Sequence, residues 1–94
     1  MAIPVVETTA ITDVTSNSTS QSVTLPSGVA EDDIILIILA FDGSPTGFNA
    51  TGYTQIARSS DPAVTLDFLW KRATASESNP TVNWTGSEQG RITA

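Results

Sequence analysis

Asp32-Asp33-Ile34-Ile35-Leu36-Ile37-Ile38-Leu39-Ala40-Phe41-Asp42-Gly43 sets eight successive apolar residues between a pair of carboxylates and an Asp-Gly turn. A strand with one wet face alternates polar and apolar side chains. An unbroken run therefore predicts a strand covered on both faces, in a central position, under a second layer or at a subunit contact. Eight residues fall well short of the roughly 20 apolar positions a membrane-spanning helix needs, so membrane insertion is not expected.

On either side of this run the chain is rich in Ser and Thr, and Ala, Leu, Glu and Lys never recur with a helical period. Residues 4–14 read as an extended segment, and Ser16-Asn17-Ser18-Thr19 reads as a turn or loop. Residues 20–25 form a strand ended by Pro26-Ser27-Gly28. After the apolar run, residues 42–52 hold Gly43, Pro45, Gly47 and Gly52 and predict a mobile loop. A short strand follows at residues 53–58, stopped by Ser59-Ser60-Asp61-Pro62.

Residues 63–72 give the cleanest alternation in the chain. Val64, Leu66, Phe68 and Trp70 face one way, toward a core, and Thr65, Asp67 and Lys71 face solvent. Residues 80–85 alternate Val82 and Trp84 with Thr81 and Asn83, Gly86-Ser87-Glu88-Gln89-Gly90 is a turn, and Arg91-Ile92-Thr93-Ala94 begins a last strand. Six or seven short strands with turn signals about every 8 to 12 residues predict an all-β fold: an antiparallel β-sandwich, jelly-roll-like, with a small open β-barrel of five or six strands as the alternative. A barrel would suit a short chain by removing its edges.

Ninety-four residues make one domain, residues 1–94. A chain this size buries only about 60 to 65% of the surface its unfolded form exposes, so other chains would help it. It has no cysteine, so no disulfide or thiolate metal site staples it, and a reducing cytosol fits that composition. Ten carboxylates oppose Arg58, Lys71, Arg72 and Arg91, and the net charge of −6 disfavours nucleic acid as a partner. Met1-Ala2-Ile3-Pro4-Val5 lacks the basic and apolar regions of a secretory signal. A strand that begins near the end of the chain predicts a domain incomplete at its C-terminus. It also predicts a homo-oligomer that buries the open edge or the run at 34–41 against a neighbouring copy. Ile35, Ile37, Leu39 and Phe41 are the interface residues expected on that basis.

No histidine and no cysteine means no Ser-His-Asp or Cys-His catalysis and no His-containing zinc site. Glu31, Asp32 and Asp33 are the one candidate set for a hard cation such as calcium. The EF-hand spacing is missing, and the plainer reading is an acidic turn in which Asp33 accepts backbone hydrogen bonds. A two-carboxylate glycosidase pair, such as Asp67 with Glu88, needs convergence in a cleft that sequence alone does not provide. No enzyme activity and no cofactor are expected. Among the aromatics, Trp70 and Trp84 share phase with core positions. Phe48, Tyr53 and Trp84 are the candidates for stacking against a glycan, with Asn49 and Asp67 as hydrogen-bond partners. Two or more of them exposed and coplanar would favour sugar binding; burial of all would favour assembly.

The ordered string Ser22-Val23-Thr24-Leu25-Pro26-Ser27-Gly28, Asp33 before the aliphatic strand, Asp42-Gly43, Gly52-Tyr53-Thr54-Gln55-Ile56, Ala63-Val64-Thr65-Leu66 and Ser87-Glu88-Gln89 resembles a β-rich domain common in tailed-phage and prophage structural proteins. The likeness runs from about residue 5 to residue 94. It departs from the family at Glu31-Asp32-Asp33, where Ala-Gly-Asp is usual, and at Tyr53, where Trp is usual. The family continues past Ser-Glu-Gln through a further apolar strand, consistent with an incomplete domain here. The resemblance implies a non-catalytic virion or tail-associated structural module, synthesised in the host bacterial cytoplasm and assembling with itself and other virion proteins. Attachment to host-surface glycans is the alternative role.

Overall fold

The computed structural model describes Val6 and residues 8–60 and 63–94. Pro4 and Val5 of the expected first segment, and the Asp61-Pro62 stop, lie outside the described residues. Six strands follow in chain order: β1 (Ile11–Ser22), β2 (Ile34–Asp42), β3 (Thr46–Asn49), β4 (Thr54–Ser60), β5 (Val64–Arg72) and β6 (Thr81–Thr93). The fold is all-β. Every pairing is antiparallel, in one sheet of order β1-β6-β2-β5-β4 with β3 added on β6. The sheet is not closed into a barrel; its arrangement is compatible with a small sandwich or an open barrel.

Two stretches expected as turns are strand. Ser16 to Thr19 and Gly86 to Gly90 lie in β1 and β6, whose registers shift between Val14 and Ser18 and between Ser18 and Ser20, and Ser18 stands opposite Glu88. Polar, glycine-containing stretches that read as loops one at a time satisfy each other's backbone when paired, and the bulges take up the mismatch. The expected loop after the apolar run contains β3, and residues 23–25 lie beyond the end of β1.

β6 also bends. Phe41 pairs with Gly90, yet the Phe41 ring lies 4.7 Å from that of Trp84, six positions back along β6. A straight strand would separate those positions by about 20 Å. Gly86 makes the fold-back available: its φ of 101° is open to glycine, and a Cβ there would meet the Pro45 Cα at 3.3 Å. The sheet thus curls over a core built from Val14, Val23, Ile35, Ile37, Leu39, Phe41, Phe48, Leu69, Val82, Trp84 and Ile92.

The curl divides the sheet into a packed inner face and an outer face. Ile35, Ile37, Leu39 and Phe41 of β2 all point inward and are buried. The expectation that they meet another chain is corrected: they form this chain's own core, because Phe41 joins Phe48 and Trp84 there. Their alternates Ile34 and Leu36 are exposed, so β2 is covered on one face only. β5 inverts the expected orientation. Register with β2 sets Thr65 opposite Phe41, Asp67 opposite Leu39 and Leu69 opposite Ile37, and these three residues are buried. Val64, Leu66 and Trp70 face outward.

Candidate functional site

The outer face is the site with the clearest chemical character. Ile34, Leu36, Val64, Leu66 and Trp70 are 64, 40, 48, 40 and 38% exposed. Cross-strand pairing brings them together: Leu36 stands opposite Trp70, Ile38 opposite Phe68 and Ala40 opposite Leu66, with Ile38 and Phe68 half-buried at the centre. At one end of this face a groove of about 610 Å³ opens between β2 and the preceding turn, lined by Val6, Pro26, Val29, Ile34, Leu36 and Ile38.

Charges border this face in pairs. Arg91 donates from Nε to Asp13 Oδ1 at 2.7 Å and from Nη2 to Oδ2 at 3.3 Å. The guanidinium holds the Asp13 carboxyl below its usual range, and Asp13 raises Arg91 in return. Arg72 Nε lies 3.0 Å from Asp32 Oδ1. Such exposed pairs contribute little stability, but they leave the rim of the face electrically quiet.

Asp67 is a fully buried carboxylate of the inner face. Asp67 Oδ2 accepts from Gln55 Nε2 at 2.6 Å and Oδ1 from the Phe68 amide at 2.7 Å. Burial pushes its pKa up, while the two donors and the nearby Arg58 guanidinium pull the other way. Arg58 itself donates to the Pro45 carbonyl at 2.7 Å. Asp67 is therefore held within the fold and, fully buried, lies out of a glycan's reach.

The three acidic candidates do not converge on a cation. Asp33 Oδ2 accepts from the Ala30 amide at 2.9 Å, as the plainer reading expected, and Asp32 turns toward Arg72 with a φ of 73°. Glu31 is exposed, and among the described residues no three His, Cys, Asp or Glu side chains gather as a metal site. The glycan candidates fare no better as a platform. Phe48 and Trp84 are 4 and 5% exposed and pack on Phe41, with centroids 4.9 and 4.7 Å away. The placement of Phe48 corrects the reading that set it beside a mobile loop: β3 pins it to the core. Trp84 takes the core position its phase predicted.

Tyr53 packs at half burial against that core, and Lys71 Nζ sits 5.7 Å from its ring centroid. Burial, with Glu77 nearby, pushes the Tyr53 hydroxyl up to about 12. Lys71 is held in turn by Glu77 at 3.0 Å. The Thr74 amide and hydroxyl donate to the other Glu77 oxygen at 2.7 and 2.9 Å, fastening the connection between β5 and β6. These donors, the Thr74 amide foremost, hold Glu77 down at about 2 against an ordinary 4.5.

Because the folded-state pKa is depressed, the stability Glu77 contributes is present above about pH 4.5 and is lost as pH falls toward 2. Glu77→Gln is expected to unfold at lower urea concentration than wild type at pH 7 and to lose less of its midpoint between pH 5 and pH 2.5. Parallel acid limbs for the two proteins would remove Glu77 as the cause.

Compared with known protein families, curated proteins and solved structures, the chain finds no match.

Proposed function

We propose that this chain is a non-catalytic structural module of the tailed-phage virion type, made in the bacterial host cytoplasm and built into its particle through β surfaces. The observation that carries the reading is the orientation of β5. That strand turns Val64, Leu66 and Trp70 outward and buries Thr65 and Asp67. Burying a carboxylate is costly even when hydrogen bonds offset it, and covering a large apolar side chain stabilises by about 1.5 to 3 kcal/mol. A subunit that worked alone would gain by the opposite facing; a subunit designed to be covered from outside would not. Sugar binding is the weaker reading, since Phe48 and Trp84 lie inside and form no exposed stacking pair.

The test is mass spectrometry of particles purified on a density gradient from cells that carry the gene. The chain is expected at a fixed ratio to the other particle proteins. Its absence from intact particles, with the free protein present in the same cells, overturns the reading.

A further inference from the structure

We infer that the outer face of β2 and β5 stacks on the same face of a second copy of this chain, about a two-fold axis running across the strands. The result is a two-layer sandwich made from two subunits. The inference rests on the structural-module reading and adds the partner to it.

Area is the first support. The exposed parts of Ile34, Leu36, Val64, Leu66 and Trp70, with the half-buried Ile38 and Phe68, amount to on the order of 600 Å² of apolar surface, at the top of the range for a lone monomer's largest patch. Pairing two such faces buries about 1,200 Å², where specific interfaces begin.

The sheet's edges supply the second support. β1 and β4 end the main path of the sheet, and both are interrupted: β1 shifts register around Ser18, and β4 shifts between Gln55 and Ala57. Bulged edges discourage the addition of another strand. Stacking on the face needs no free backbone groups, and two sheets pack well about 10 Å apart through interdigitating side chains.

Charge does not oppose a second copy at this face. The chain carries −6 overall, yet the arginines bordering this face are neutralised by Asp13 and Asp32 in their own subunit. A like-charged copy can therefore approach here without facing unbalanced acid. Asp42 and Val64 close one end of the face, while Ile34 and Arg72 close the other. An axis across the strands lays the Asp42 end of each copy over the Arg72 end of its mate, so Asp42 faces the neutralised Arg72–Asp32 pair and not a second Asp42, around an apolar centre.

The experiment is sedimentation velocity on the purified 94-residue chain, with tryptophan emission followed over the same dilution series. Wild type is expected to be a dimer whose Trp70 emission shifts blue on association, while the core residue Trp84 stays constant. Leu36→Glu and, independently, Leu66→Glu are expected to raise the dissociation constant more than about tenfold with an unchanged circular dichroism spectrum. A wild-type monomer at about 100 µM, without an emission shift, overturns the inference. So does a dimer that survives both glutamate variants while gaining hydrogen-exchange protection along β4, because the contact is then edge to edge. A monomer that is nonetheless found in particles defeats the self-pairing alone; a dimer absent from particles defeats the virion assignment alone.

Discussion

Phe41→Ala is expected to cost about 3 to 5 kcal/mol, a large share of the roughly 5 to 15 kcal/mol that holds a small domain folded. Phe41 is 1% exposed and belongs to β2, while the rings it touches come from β3 and β6. Truncation loses the transfer free energy of the ring and opens a cavity that Phe48 and Trp84, themselves 5.6 Å apart, only partly fill. The curl of the sheet is the casualty, since Phe41 is where its two halves meet. Urea unfolding followed by circular dichroism reads the loss directly. A midpoint within error of wild type would show that the aromatic cluster does not hold the two halves together.

Gly90→Val is the second severe change, with an expected cost at or above the upper end of the about 1 to 3 kcal/mol typical of overpacking. A Cβ at position 90 would lie 2.5 Å from the Ala40 carbonyl oxygen and 2.6 Å from Phe41 Cγ. One of those groups is backbone in a central strand, so it has little freedom to retreat. The β2–β6 ladder, which includes the Phe41–Gly90 and Ala40–Arg91 pairs, must open to make room. Gly90→Ala places the first of these atoms alone and should fall between wild type and Gly90→Val in thermal midpoint. If Gly90→Ala matched wild type, β6 would not approach β2 as closely as its register requires.

Residue pattern located β2, β4 and β5 to within a few positions, because each has a compact run or an alternation that only an extended chain exploits. It failed in the long ribbon of β1 and β6. There the Ser16–Thr19 and Gly86–Gly90 stretches carry turn composition, and what makes them strand is each other, a relation between distant segments that no local window contains. The alternation of β5 was legible while its direction was not. Val64, Leu66 and Trp70 form the greasier side, and burial of the greasier side is the natural expectation for a lone domain. What reverses it is register with β2, together with the hydrogen bond from Gln55 on the neighbouring strand that makes Asp67 tolerable inside. Both facts belong to pairing. The outer apolar surface was hidden for the same reason: Ile34 and Leu36 sit in a run where inner and outer residues are chemically alike, and only the third dimension sorts them. Asp33 was legible among the candidate site residues, as the core phase of Trp84 was, since a carboxylate three positions after the amide it caps is local chemistry.

β6 is the hub to which β1, β2 and β3 are all hydrogen-bonded, and it follows all of them in chain order. β1 must therefore stay without its mate until β6 has been made, and Ala10 can meet Ala94 only after every residue between them has been synthesised. Such distant closures make assembly slow compared with a hairpin. The β2–β5–β4 half can form earlier, while its apolar outer side is already wet; in a crowded cell the nascent chain is thus most adhesive before it is whole, and timing as much as sequence governs what it sticks to.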